Sequence, residues 1–98
     1  MNIIKNIENG KVVLAIGGRL DTTTAPELEK EMGNLLVDAK ELVFDMSELE
    51  YISSAGLRVL LKAQKMMNAQ GSMKVTNVNE SIMEVFEITG FLDILTIE

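Results

Sequence analysis

The chain has 98 residues, 47% apolar and 24% charged, the balance of one folded globular domain over residues 1–98 with no room for a second core. Nine Lys and Arg against 15 Asp and Glu give a net charge of −6, which argues against direct nucleic-acid binding. The absence of Cys and His removes thiol nucleophiles, disulfides, the imidazole base and the usual zinc sites. Met1-Asn2-Ile3-Ile4-Lys5-Asn6 lacks the apolar stretch of a signal peptide. No uncharged stretch approaches the roughly 20 residues of a bilayer-spanning helix, so a cytoplasmic protein without membrane insertion is expected.

Ile3 to Ile7 and Val12 to Ile16 are β-prone runs separated by Glu8-Asn9-Gly10-Lys11, and Asn-Gly between such runs predicts an antiparallel hairpin. After Gly17-Gly18, Thr24-Ala25-Pro26-Glu27 reads as a capping box. Leu28, Met32, Leu35, Leu36 and Ala39 then follow at the spacing of one buried helix face, with the end of that helix expected near Asp38 to Lys40. Leu42-Val43-Phe44 is an unbroken apolar run, which predicts a short central strand covered by helices on both faces.

Leu57, Leu60, Leu61 and Ala63 to Met67 predict a second helix ended by Asn68 to Ser72, and Met73 to Thr76 a further strand. Ile82, Val85, Phe86 and Thr89 predict a third helix, with Asn79 as N-cap and Gly90 as terminator. Phe91 to Glu98 reads as a turn plus an edge strand. The order β-β-α-β-α-β-α predicts an α/β fold: a mixed β-sheet with an N-terminal antiparallel hairpin and right-handed crossover helices. In such sheets function gathers where strands end and helices begin, here Gly17 to Thr24 and Asp45 to Leu57.

Several chemistries fail on inspection. Neither Gly-x-Gly-x-x-Gly nor a Walker lysine is present. Asp45-Met46-Ser47-Glu48-Leu49-Glu50 offers alternating oxygen ligands, but it lacks the central glycine of a calcium loop, whose twelfth position is Gly56. The carboxylates fall mostly on predicted wet faces, and the acidic pair, acceptor Asp and downstream Lys of a phosphoaspartate receiver are missing. No catalytic residue, metal or cofactor is expected. Of the seven methionines, Met32, Met67 and Met83 are expected in the core, while exposure of Met46 or Met66 would mark a docking patch.

The distinctive stretch is Asp45-Met46-Ser47-Glu48-Leu49-Glu50-Tyr51-Ile52-Ser53-Ser54-Ala55-Gly56-Leu57-Arg58, where a strand gives way to a helix opened by two serines. A negative group there would meet the positive end of the helix dipole. Helix capping by one of the hydroxyls is the equally physical alternative.

This stretch resembles the phosphorylation loop of the STAS domain, the fold of bacterial anti-sigma factor antagonists. Gly18-Arg19-Leu20-Asp21 with its Thr-rich sequel is similar to the companion loop, and Glu87-Ile88-Thr89-Gly90-Phe91-Leu92-Asp93 to the closing helix and turn. The resemblance implies a partner that is both an anti-sigma factor and a serine kinase, bound only by the unmodified protein, with release of sigma factor and with a serine phosphatase restoring the active form. By position the acceptor is Ser54. The family's better-known members often carry Asp at the position of Ser53, which is here either the lesser acceptor or a cap. Asp21, Thr22, Ser53, Ser54, Ala55, Gly56 and Arg58 form the implied partner surface, with Asp21 alternatively making an Asx turn. A STAS scaffold or accessory subunit of a stress-sensing or lipid-transport complex, without obligatory phosphorylation, is the alternative role.

Overall fold

The computed structural model describes residues 1–98. Strands β1 (Asn2–Glu8) and β2 (Lys11–Leu20) form the antiparallel hairpin. Asn9 and Gly10 take φ of 47° and 82°, the left-handed pair that a tight Asn-Gly turn requires. Helix α1 (Ala25–Leu35) leads to β3 (Glu41–Ile52), helix α2 (Ser54–Gln70) to β4 (Ser72–Thr76), and α3 (Glu80–Thr89) with a single 3₁₀ turn (Phe91–Asp93) closes the chain. Sheet order is β1-β2-β3-β4, with β3 parallel to both neighbours, so α1 and α2 are the predicted crossovers.

One face of the sheet carries the core. Val12, Leu14, Ile16, Leu42, Phe44, Met46, Met73 and Val75 pack in a single cluster with Leu28 and Met32 of α1, Leu60, Ala63 and Met67 of α2, and Ile82 and Phe86 of α3. All three helices lie on that face. Val13, Ala15, Val43 and Lys74 form the other, which bears no helix, so the expectation of helices on both faces is corrected. Val43 is buried all the same, flanked by Val13 and Lys74 on the paired strands. Met46 is fully buried and Met66 partly so, which assigns both to packing; Met32 and Met67 are in the core as expected, whereas Met83 is only half-buried and lies outside the core cluster.

The central strand is also longer than predicted. β3 runs on past Asp45 to Ile52 because two irregularities let it carry two more residues than β2, between the pairs Ala15↔Asp45 and Gly17↔Glu48 and between Gly18↔Leu49 and Arg19↔Tyr51. Buried positions therefore step from Met46 to Leu49 to Ile52, by three residues, which masks the strand period. Gly18, at φ 86°, supplies a conformation open to few other residues on the partner strand.

Helix α1 starts where the sequence puts it, with Thr24 at the N-cap position and Pro26 in the first turn, but the capping bonds differ. Thr24 makes no side-chain cap to the helix. The reciprocal box sits three residues upstream: Asp21 Oδ1 accepts from the N–H groups of Thr23 (3.0 Å) and Thr24 (3.1 Å), while Asp21 N–H donates to Thr24 Oγ1 at 2.9 Å. Ala25 N–H reaches Asp21 O at 2.8 Å, so the first turn is wound from Asp21 onward. At its other end α1 closes at Leu35, earlier than expected, and Gln70 Nε2 donates to the carbonyls of Leu36 and Ala39 in the segment that follows. The chain then crosses irregularly to β3 with Leu36 and Ala39 still buried.

Helix α3 has the expected ends, Asn79 Oδ1 accepting from Ile82 N–H at 2.9 Å and Gly90 in the left-handed region. Its buried face is narrower than predicted: Ile82 and Phe86 are enclosed, Val85 partly, and Thr89 is exposed with its hydroxyl donating to Val85 O. The expected edge strand is reduced to one bridge, Ile97 beside Val75.

The segment between β4 and α3 fastens β3. Asn79 Nδ2 donates to Leu49 O (2.8 Å), and Asn77 Nδ2 to Asp45 Oδ1 (3.0 Å), which also accepts from Ser47 N–H (3.0 Å). The Asn77 amide, then the Ser47 N–H, hold the Asp45 carboxyl below its ordinary value. A carboxylate with a depressed folded value contributes stability above its ordinary pKa of about 3.9 and loses it as pH falls through the folded value. Asp45→Asn should therefore melt a few degrees below the wild type at pH 7, with the gap narrowing as pH falls below the ordinary carboxylate value of about 3.9; thermal melts by circular dichroism across acid pH check this.

Candidate functional site

The two strand-to-helix junctions meet at one end of the sheet. Arg19 pairs with Tyr51 and Leu20 with Ile52, and Ser53 N–H donates to Leu20 O at 2.9 Å. There the chain turns into α2. Ser53 is extended (φ −101°, ψ 177°) and is the N-cap: its carbonyl accepts from Leu57 N–H at 2.9 Å, and its Oγ accepts a long bond, 3.5 Å, from Gly56 N–H. Ser54 is the first helical residue and is exposed.

Gly56 decides how close the helix comes to the strands. A Cβ at this position would stand 2.8 Å from Leu20 Cγ and from Ile52 Cγ1, and 3.0 Å from Leu20 O. Only hydrogen fits there, so the amide end of α2 rests directly on the paired ends of β2 and β3. Gly56 is itself buried.

Across from it, the Asp21 box shapes the companion loop. Thr24 N–H, then Thr23 N–H, the Thr24 hydroxyl and the Arg19 charge hold the Asp21 carboxyl below its ordinary value. Asp21 thus makes the Asx turn, with its Oδ2 3.6 Å from Arg19 Nε. Arg19 also lies over the Tyr51 ring, its Cζ 4.2 Å from the centroid. The Arg19–Tyr51 stack escapes the sequence reading, because the pairing that brings them together depends on the two irregularities in β3. Tyr51 is 41% exposed.

Thr22, Ala25 and Pro26 on one side and Ala55, Arg58 and Val59 on the other line a shallow groove of about 210 Å³ between the starts of α1 and α2. Thr22 and Arg58 are exposed and Ala55 partly so. Asp21, Thr22, Ser53, Ser54, Ala55, Gly56 and Arg58 are therefore gathered at one end of the fold, as one surface around a buried glycine. No three carboxylates cluster closely enough to hold a metal ion. The site offers hydrogen-bonding groups, a helix N-terminus and an arginine, which is the equipment of a binding surface.

The family model of the STAS domain matches residues 2–98. The chain belongs to the STAS family. It is 34% identical over 101 aligned residues to the anti-sigma-B factor antagonist of Bacillus subtilis, covering 99% of this chain and 92% of that one. A candidate anti-sigma factor antagonist of Bordetella bronchiseptica, BtrV, is 38% identical over 92 residues, covering 91% of this chain and 78% of that protein. The solved Bacillus antagonist SpoIIAA superposes with a TM-score of 0.85 in its unphosphorylated form and 0.76 in its phosphorylated form, each at 15% identity, with 99% of this chain covered and 88% and 91% of those chains. The STAS domain described here is a regulatory module and not an enzyme. None of its helices is long and apolar enough to cross a membrane.

Two glycines in this STAS domain separate close approach from mere helix propensity. Gly56→Val should destabilise by about 2–3 kcal/mol through overpacking against Leu20 and Ile52. Gly33→Ala, where a Cβ meets nothing within 4 Å, should stabilise by about 0.5–1 kcal/mol. Urea unfolding of the two variants measures both.

Proposed function

We propose that this protein is an anti-sigma factor antagonist of the cytoplasm, switched by phosphorylation of Ser54. The observation that carries the reading is the division of labour between the two serines. Ser53 is committed to capping α2, whereas Ser54 presents its hydroxyl at the exposed first position of the helix. Asp and Ser are both favoured N-caps, so Ser53 fills the role that the family's Asp fills and leaves the next residue free.

In this reading the unmodified surface of Asp21, Thr22, Ser53, Ser54, Ala55, Gly56 and Arg58 docks an anti-sigma factor that is also a serine kinase, and sigma factor is released. The kinase transfers the γ-phosphoryl group of a nucleoside triphosphate to Ser54 Oγ; the hydroxyl proton leaves and the diphosphate departs. A serine phosphatase returns the hydroxyl by hydrolysis. The names of the relatives and the existence of SpoIIAA in both phosphorylation states support this assignment.

Phosphate switches binding without refolding. It adds about 1.5 to 2 negative charges on a surface that must be dehydrated on docking. A penalty of about 3 kcal/mol is a loss of roughly a hundredfold in affinity, enough to dissolve a submicromolar complex. Calorimetric titration against the anti-sigma kinase of the same organism is the test. Ser54→Ala should bind as the unmodified protein does and resist kinase and nucleotide, while Ser54→Asp should lose ten- to a hundredfold. Equal affinities for the two variants would overturn the switch and favour the scaffold role.

A further inference from the structure

This inference rests on Ser54 as the acceptor and concerns what becomes of the phosphate there. We propose that Arg58 captures it, so that modification both adds a negative group and withdraws Arg58 from the docking surface. Residues four apart on a helix are neighbours, with Cβ atoms about 6 Å apart, and an anion placed before a cation is the favourable order. Ser54 opens α2 and Arg58 stands one turn further along the same face, and both are exposed.

Nothing else on the helix competes for the guanidinium. Residues 54–70 contain three cations, Arg58, Lys62 and Lys65, and no carboxylate. The side chains three and four positions from Arg58 are Ser54, Ala55, Leu61 and Lys62, of which only Ser54 can become an anion. Of the charged groups on the neighbouring elements, Glu29 of α1 borders the same groove but is paired with Lys62 at 3.5 Å. Asp21 is held by its own loop and by Arg19, which also stacks on Tyr51; Glu50 lies on the last residues of β3. Arg58 has no ion-pair partner. Its planar fork suits two phosphate oxygens at once, and the amide end of the helix adds to the same attraction.

Capture has a signature that needs no partner. A cation against the phosphate favours the dianion and lowers its second ionisation, near pH 6 in free phosphoserine. Phosphoserine installed at position 54 of the full chain by genetic encoding can be titrated by phosphorus NMR at low ionic strength. The midpoint should lie more than about half a unit below the free value, because the helix amides contribute as well as Arg58. Arg58→Gln should raise it by about half a unit, a threefold change in the protonation constant, and Arg58→Lys should recover part of the shift. Identical midpoints for wild type and Arg58→Gln would overturn the proposal, as would an equal rise in Arg58→Lys. Phosphopeptide mapping of protein from its host tests the acceptor separately: phosphate on Ser53 alone would sink the reading of Ser54 while the titration still reports on Arg58.

Discussion

The absent side chain at position 56 sets the geometry on which the site depends. With hydrogen there, the first turn of α2 seats against Leu20 and Ile52, and the strand pairing of β2 with β3 carries straight into the cap at Ser53. That contact fixes Ser54 relative to the Asp21 loop, since both hang from the same two paired residues. The loop is stiff in its own right: Asp21 satisfies two of its backbone amides and Thr24 returns a bond to the Asp21 N–H. A docking surface built this way loses little conformational entropy when a partner arrives, which is what preorganisation contributes to affinity.

The order of elements was legible from the chain, because hairpin, crossover helices and α3 each carry local signals: Asn9-Gly10, the 3.6-residue apolar spacing, Asn79 and Gly90. What escaped depends on contacts between distant residues. β3 reads as three residues because its alternation is broken twice where it outruns β2, and no local pattern reveals a bulge whose partner strand lies some thirty positions away. Thr24-x-x-Glu27 fits the usual capping box and Thr24 does stand at the N-cap position, but its hydroxyl is taken up by Asp21 N–H and Arg19 O. The reciprocal side-chain box therefore closes between Asp21 and Thr24, in the turn ahead of the helix. The bare outer face of the sheet is not legible for a simpler reason: Leu42-Val43-Phe44 is buried on both sides of the strand, and apolar runs do not say whether a helix or flanking side chains provide the cover.

Of the site itself, the sequence located both loops but not their junction. Ser53 and Ser54 are chemically equal in the chain, and only the extended backbone at Ser53 distinguishes a cap from a free hydroxyl. The Arg19–Tyr51 stack and the tethers from Asn77 and Asn79 to β3 are likewise products of assembly. They tie β3 at Asp45, Leu49 and Tyr51, along the stretch that leads to the cap at Ser53.

Charge is distributed unevenly enough to bear on regulation. Residues 75–98 hold five acids, Glu80, Glu84, Glu87, Asp93 and Glu98, and no base, so they account for five of the six net negative charges. Helix α2 is the reverse, with three bases and no acid. A phosphate of charge about −2 changes the net charge only from −6 to about −8. On α2 the same phosphate takes a helix of +3 to about +1 and places the change at its exposed end. Screening confines exposed charges to roughly 8 Å in physiological salt, so a partner senses the local drop in positive charge and not the total. A single modification on the one helix free of carboxylates therefore alters the surface far more than its share of the overall charge suggests.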